Sequence, residues 1–165
     1  MSRPARLGLL LATALALGVT AAVPTLATDH RPRVLDANLA GLPASLTRQT
    51  LFGVVAGGAP WRLDGGRATL FADGRLQVEV RGLVLAAGPS EGTNPIPNAK
   101  AIVTCEGAPV AASSVVPYSA DGDARIDEVV ALPNGCLAPA VFFAGVPNPA
   151  APDVAVWFAV TGLEG

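Results

Sequence analysis

Histidine occurs once in this 165-residue chain, at His30, and what it can do depends on what precedes it. In a mature protein that begins at Thr28, the residues Thr28-Asp29-His30 offer a free amine, two amide nitrogens and an imidazole at position three. Those four nitrogens make a square-planar set suited to Cu(II) or Ni(II). No proline stands at position two or three, so both amides can lose their protons. The same histidine is badly placed as a general base. It would have to fold back over Ser45, Ser90, Ser113, Ser114 or Ser119 to complete a Ser/His/Asp triad. Carboxylates gather at Asp121, Asp123, Asp127 and Glu128, as in a calcium loop or a two-carboxylate hydrolase. A calcium loop wants oxygen ligands at positions 1, 3 and 5, and position 5 is Arg125. Hydrolysis by paired carboxylates also needs a cleft that holds the substrate between them. The expectation is therefore a non-catalytic protein without a resident cofactor. Copper or nickel binding at Thr28, Asp29 and His30 is one alternative, and a carboxylate-based extracellular hydrolase is the other.

The two cysteines, Cys105 and Cys136, form no C-x-x-C pair, and neither adjoins a basic residue that would lower a thiol pKa. In an exported chain such a pair defaults to a disulfide. Closing a loop of about 30 residues would stabilise the fold by about 3–4 kcal/mol in the chain-entropy account. Trp61, Trp157, Tyr118, Phe142 and Phe143 are candidates for lining a ligand site, but with so few aromatics each reads first as core. Phe142 and Phe143 must point to opposite faces of a strand, so one of them leaves the core or packs under a loop.

Export is written in the first 27 residues. Arg3 and Arg6 are followed by an uncharged apolar run, Leu7 to Val19, and Thr25-Leu26-Ala27 offers a small-residue cleavage site. That order is a secretory signal peptide over residues 1–27, with an apolar run too short to span a membrane comfortably. Cleavage after Ala22 would start the chain at Val23 and abolish the four-nitrogen set. No second apolar segment of spanning length follows, so no membrane span is expected after cleavage. Removing the leader leaves nine basic against thirteen acidic residues. A mildly acidic exported domain has no electrostatic case for nucleic acid. The expected location is extracellular or at the cell envelope.

Residues 28–48 show no sustained period and are interrupted by Pro32, Gly41 and Pro43, which predicts a flexible arm with one short helical turn. Residues 49–165 read as one β domain. "QTLFGVVAG" is the first strand candidate, and "RATLFADGRLQVEVRGLVLA" is the clearest hairpin. Its turn is placed at Asp73-Gly74, with both residues at positive φ. Leu76, Val78 and Val80 alternate there with Gln77, Glu79 and Arg81, giving one buried and one wet face. Strands follow at "AIVTCEG" and "APVAASSVVP", joined at Glu106-Gly107, then at "ARIDEVV", "APAVFFAG" and "DVAVWFAVTG". Short strands rich in Gly and Pro turns indicate an all-β fold. The expected form is an antiparallel, immunoglobulin-like β-sandwich of about eight strands, with a small β-barrel as the alternative. Ala-Asp-Gly precedes a strand twice, at 72–74 and 120–122, which is reuse of turn chemistry and not a repeat.

The run "RLQVEVRGLVL…GTNPIPNAKAIVTCEG…SADGDARIDEVVALPNGCLAP" resembles a family of small exported proteins of high-GC bacteria. Trp61, Thr93-Asn94-Pro95, Cys105 and Cys136 carry the resemblance, which covers most of residues 60–145. It implies export, the disulfide and a single β domain, and it assigns no catalytic or binding residue. The expected role is a binding or cell-envelope module whose partner is an extracellular protein, a glycan or a small ligand. The candidate binding elements are the proline-rich loops from Gly88 to Asn98 and from Gly145 to Pro152.

Overall fold

The computed structural model describes residues 31–163. Thirteen strands run in chain order: β1 Arg33–Gly41, β2 Thr50–Leu51, β3 Val54–Val55, β4 Trp61–Arg62, β5 Gly65–Phe71, β6 Arg75–Arg81 and β7 Val84–Leu85, then β8 Asn98–Cys105, β9 Ala108–Ala112, β10 Val116–Pro117, β11 Ala124–Val129, β12 Ala140–Gly145 and β13 Val156–Thr161. A single 3-10 turn, Ala44–Leu46, is the only helical element among the described residues. The all-β expectation is borne out, and every pairing between these strands is antiparallel. Eight strands follow one another along the main path, in the order β10-β8-β12-β13-β1-β5-β6-β11, with β9 also paired to β8. The sheet curls until its end strands come together, where the Ser114 amide donates to Glu128 Oε1 at 2.6 Å.

Residues 28–48 were expected to form an arm, and the structure corrects this for the part it describes. Arg33–Gly41 is a central strand, paired with β5 through its first half and with β13 through its last three residues. Leu35, Ala37 and Leu39 alternate with outward Asp36 and Asn38, a weak period of two in residues that favour strands poorly. The helical turn expected in this stretch lies at Ala44–Leu46. The domain therefore begins before residue 49.

The β5–β6 hairpin is where the sequence places it, but its turn is of another kind. Gly74 alone has positive φ, at 87°, and its amide donates to the Phe71 carbonyl at 3.0 Å. This is a type I turn with a glycine in the left-handed position after it, the geometry of a three-residue loop. Gly122, with φ 86°, closes on Ser119 in the same way, so the Ala-Asp-Gly echo is one turn used twice. Two-residue turns with both positions left-handed do occur, at Glu106-Gly107 and at Phe52-Gly53. "QTLFGVVAG" is thus not one strand: it folds at Phe52-Gly53 into the hairpin β2–β3.

The two halves of the sheet differ in what covers them. On β6, Leu76, Val78 and Val80 are buried while the residues between them face water. On β12, all six residues are buried, so that half is covered on both faces. The adjacent phenylalanines explain how. Phe143 packs edge-on against Tyr118, and Tyr118 lies beside Trp61, which stacks on Phe158 at 3.9 Å between ring centroids. Phe142, on the opposite face, meets Trp157 and the exposed Phe52 of the β2–β3 hairpin. Phe142 is therefore the ring that packs under a loop.

Cys105 and Cys136 form the expected disulfide, with Cα atoms 5.2 Å apart. It pins the long connection between β11 and β12 to the end of β8, where the Glu106 amide also donates to the Leu137 carbonyl. The Cys105→Ala/Cys136→Ala double variant is expected to lose about 3–4 kcal/mol of stability. Urea unfolding checks this, and an unchanged midpoint would show that the connection holds without the bond.

Candidate functional site

The acidic group at 121–128 does not converge. Asp123 Oδ1 accepts from the Gly82 amide at 2.9 Å, and Asp127 and Glu128, adjacent on β11, point to opposite faces. Glu128 closes the sheet seam onto Ser114. Asp127 accepts from Arg75 Nε and Nη2, both at 3.2 Å, and from Gln77 Nε2 at 3.1 Å. Its partner is thus across the strands and not Arg125 two residues before it. Ser113 and Ser119 are engaged by backbone, Ser113 Oγ accepting from the Ala101 amide and Ser119 Oγ from that of Asp123. Thr28, Asp29 and His30 lie outside the described residues. Among the described residues, no three His, Cys, Asp or Glu side chains come together as metal ligands would.

The aromatic candidates are core. Trp61, Trp157, Tyr118, Phe142 and Phe143 are all buried. The Tyr118 hydroxyl donates to the Leu83 carbonyl, and burial, with the nearby negative charge of Asp123, pushes its pKa well above the ordinary tyrosine value. Such a phenol stays protonated and structural.

The two proline-rich loops lie together at one end of the sheet, where the Val146 amide donates to the Asn98 carbonyl at 2.8 Å. Each is pinned from within. Asn94 is buried, and its Nδ2 donates to the carbonyls of Ile96 and Ser119 while its Oδ1 accepts from the Ile96 amide. Lys100, also buried, donates through Nζ to the Pro152 carbonyl at 2.6 Å. Their anchoring groups are engaged, while residues 88–93 and 147–150 between the anchors are exposed.

The open chemistry is on the wet face of β1, β5, β6 and β11. Register sets out two rows across these strands: Asp36, Thr69, Gln77 and Asp127 in one, Asn38, Arg67, Glu79 and Arg125 in the next. Arg67 Nη2 lies 2.7 Å from Asp36 Oδ1, which also accepts from Thr69 Oγ1, and Arg81 Nη2 pairs with Glu79 Oε1. Arg125 makes no ion pair with a described residue. Three adjoining depressions open on this face. The first, of about 270 Å³, is lined by Asn38, Gly65, Gly66, Arg67, Glu79 and Arg81. The others share Arg67, Glu79, Arg81 and Arg125 with it and with each other.

Two carboxylates of this face are held ionised by their neighbours. The Arg67 guanidinium, with Thr69 and Arg33, holds the Asp36 carboxyl below its ordinary range, and Arg75 with Gln77 does the same for Asp127. Both stay ionised and accept hydrogen bonds, whereas a general acid needs a raised pKa. Sequence reading reached Glu79 and Arg81 as wet residues through the alternation on β6. It could not reach their neighbours Asn38, Gly65 and Arg67, because register between strands is not visible in one sequence. The chain matches no protein family, no curated protein and no solved structure.

A folded-state pKa below the ordinary value of about 3.8 means that each carboxylate supports the fold above that pH. The contribution fades as pH falls through the lowered value, so stability should decline in acid below about pH 4. Arg75→Gln is expected to move the Asp127 titration, followed by NMR, back up towards the ordinary value while leaving Asp36 in place. An unmoved Asp127 would show that Arg75 is not its partner in solution.

Proposed function

We propose that this chain is an exported, non-catalytic binding module of the extracellular space or cell envelope that takes its ligand on the wet face of β1, β5, β6 and β11. One observation carries the reading: three adjoining depressions lie on a single face, Glu79 lines all three, and Arg67, Arg81 and Arg125 each line two. The disulfide supports an oxidising compartment, and no helix among the described residues is long and apolar enough to cross a membrane. Concave polar ground on a rigid sheet is a sound platform for recognition, since the scaffold loses little freedom on binding. The leader-like order of residues 1–27 points the same way.

Two measurements test this. The intact mass of protein recovered from culture medium is expected to begin at Thr28 and to be two hydrogens light; a cell-retained chain that keeps its leader would overturn export. A panel of neutral sugars, uronates, peptides and nucleotides, titrated into the ¹⁵N-labelled protein, is expected to shift the amides of residues 65–67, 79–81 and 125 with no ligand consumed. Shifts confined to residues 88–98 and 145–152, or turnover of a ligand, would overturn the assignment of the face or of its role.

A further inference from the structure

We infer that the depression above Gly65 takes a carboxylate carried on a hydroxylated ring, the chemistry of a uronate unit. The inference rests on the wet face being the ligand face. Gly65 stands opposite Arg81 at the start of β5, and a Cβ built on it would meet no atom within 4 Å. Its φ is not in the left-handed region, so the backbone does not require glycine. A side chain at this position would project into the depression that Gly65 lines.

Around that space the groups are those that carboxylates and hydroxyls need. A guanidinium carries five N–H donors in a planar fork that matches a carboxylate. Arg67 pairs with Asp36 and Arg81 with Glu79, each through Nη2, which leaves further donors on both. The counter-charges set the ligand's valence. Arg67 and Arg81 line this depression against Glu79, one positive charge in excess, while Arg125 in the adjoining depression is offset by Asp123. That balance suits a monoanion and disfavours a phosphate dianion. Glu79 and the Asn38 side-chain oxygen supply acceptors for hydroxyls, which a simple fatty carboxylate lacks. At about 270 Å³ the space is smaller than the roughly 300–1,000 Å³ of drug-sized pockets, which fits a single ring or one unit of a chain. A second unit would meet Arg125.

The test is NMR titration of the full mature protein with D-glucuronate and with polygalacturonate, reading the arginine Nε–Hε signals and the amides of residues 65–67 and 79–81. Saturable shifts at Arg67 and Arg81 are expected with both, and none with neutral galactose. Tighter binding of the polymer would assign the site to a polysaccharide; equal binding per unit would assign it to free uronate. Gly65→Val is expected to keep the melting temperature and weaken binding at least tenfold, with Arg81→Gln weakening it independently. A galactose response as strong as the uronate response, or undiminished binding by Gly65→Val, would overturn the inference. Shifts elicited only by a peptide with a free C-terminal carboxylate would overturn the ligand class and leave the face standing. No shift on this face from any of these probes would overturn both.

Discussion

Strand β1 changes partners part-way along its length: residues 33–38 pair with β5, and residues 39–41 pair with β13. Both halves of the sheet therefore hang on nine residues. The first half sets Asp36 and Asn38 beside Arg67 on the wet face, while Leu39 begins the buried side. Beyond the strand, the Leu42 amide donates to the Phe158 carbonyl, and the Trp61 amide donates to that of Leu42. Gly41 allows that approach, because a Cβ there would collide with the Trp61 carbonyl. The same strand thus orders the polar face at one end and brings Trp61 onto Phe158 at the other.

The two halves differ in how far water reaches them. β12 and β13 are covered on both sides, by the Trp61–Tyr118–Phe143 rings within and by Phe52 against Phe142, which meets Trp157, without. Such strands read as near-continuous apolar runs, as buried strands do. The β1–β5–β6–β11 half has one apolar and one wet face, the ordinary pattern of an antiparallel sheet with a single covered side. Among the described residues, this half offers the polar face of the main sheet.

What the sequence made legible follows the same division. Strong alternation on β6 and the apolar runs of β12 and β13 were plain, as were the Glu106-Gly107 turn and the disulfide. β1 was hidden because Asp, Asn, Ala and Gly fill it, and its inward contacts are as small as Ala37 against Ala68. The Asp73-Gly74 pair marked a hairpin correctly but not its turn type, because the same dipeptide serves a two-residue loop and the end of a type I turn. At the candidate site, the charges could be placed on a wet face strand by strand. Which charge meets which is set by register and side-chain reach: Asp127 lies opposite Gln77 yet takes its guanidinium from Arg75.

Stability does not account for this face. Exposed arginine–carboxylate pairs contribute about 0–1 kcal/mol each, and the apolar side of the same strands carries the fold. Two neighbouring glycines make the contrast. Gly66 is required by packing, since a Cβ there would press on Leu63 Cδ2 at 2.9 Å and on Leu39 Cβ at 3.1 Å. Gly65 faces open space on an unstrained backbone, and glycine within a strand costs roughly 0.5–1 kcal/mol relative to alanine. A residue that weakens its strand, fills no packing need and lies beside Arg67 and Arg81 is what the proposed binding site would use as its floor. The fold alone gives no reason for glycine at that position.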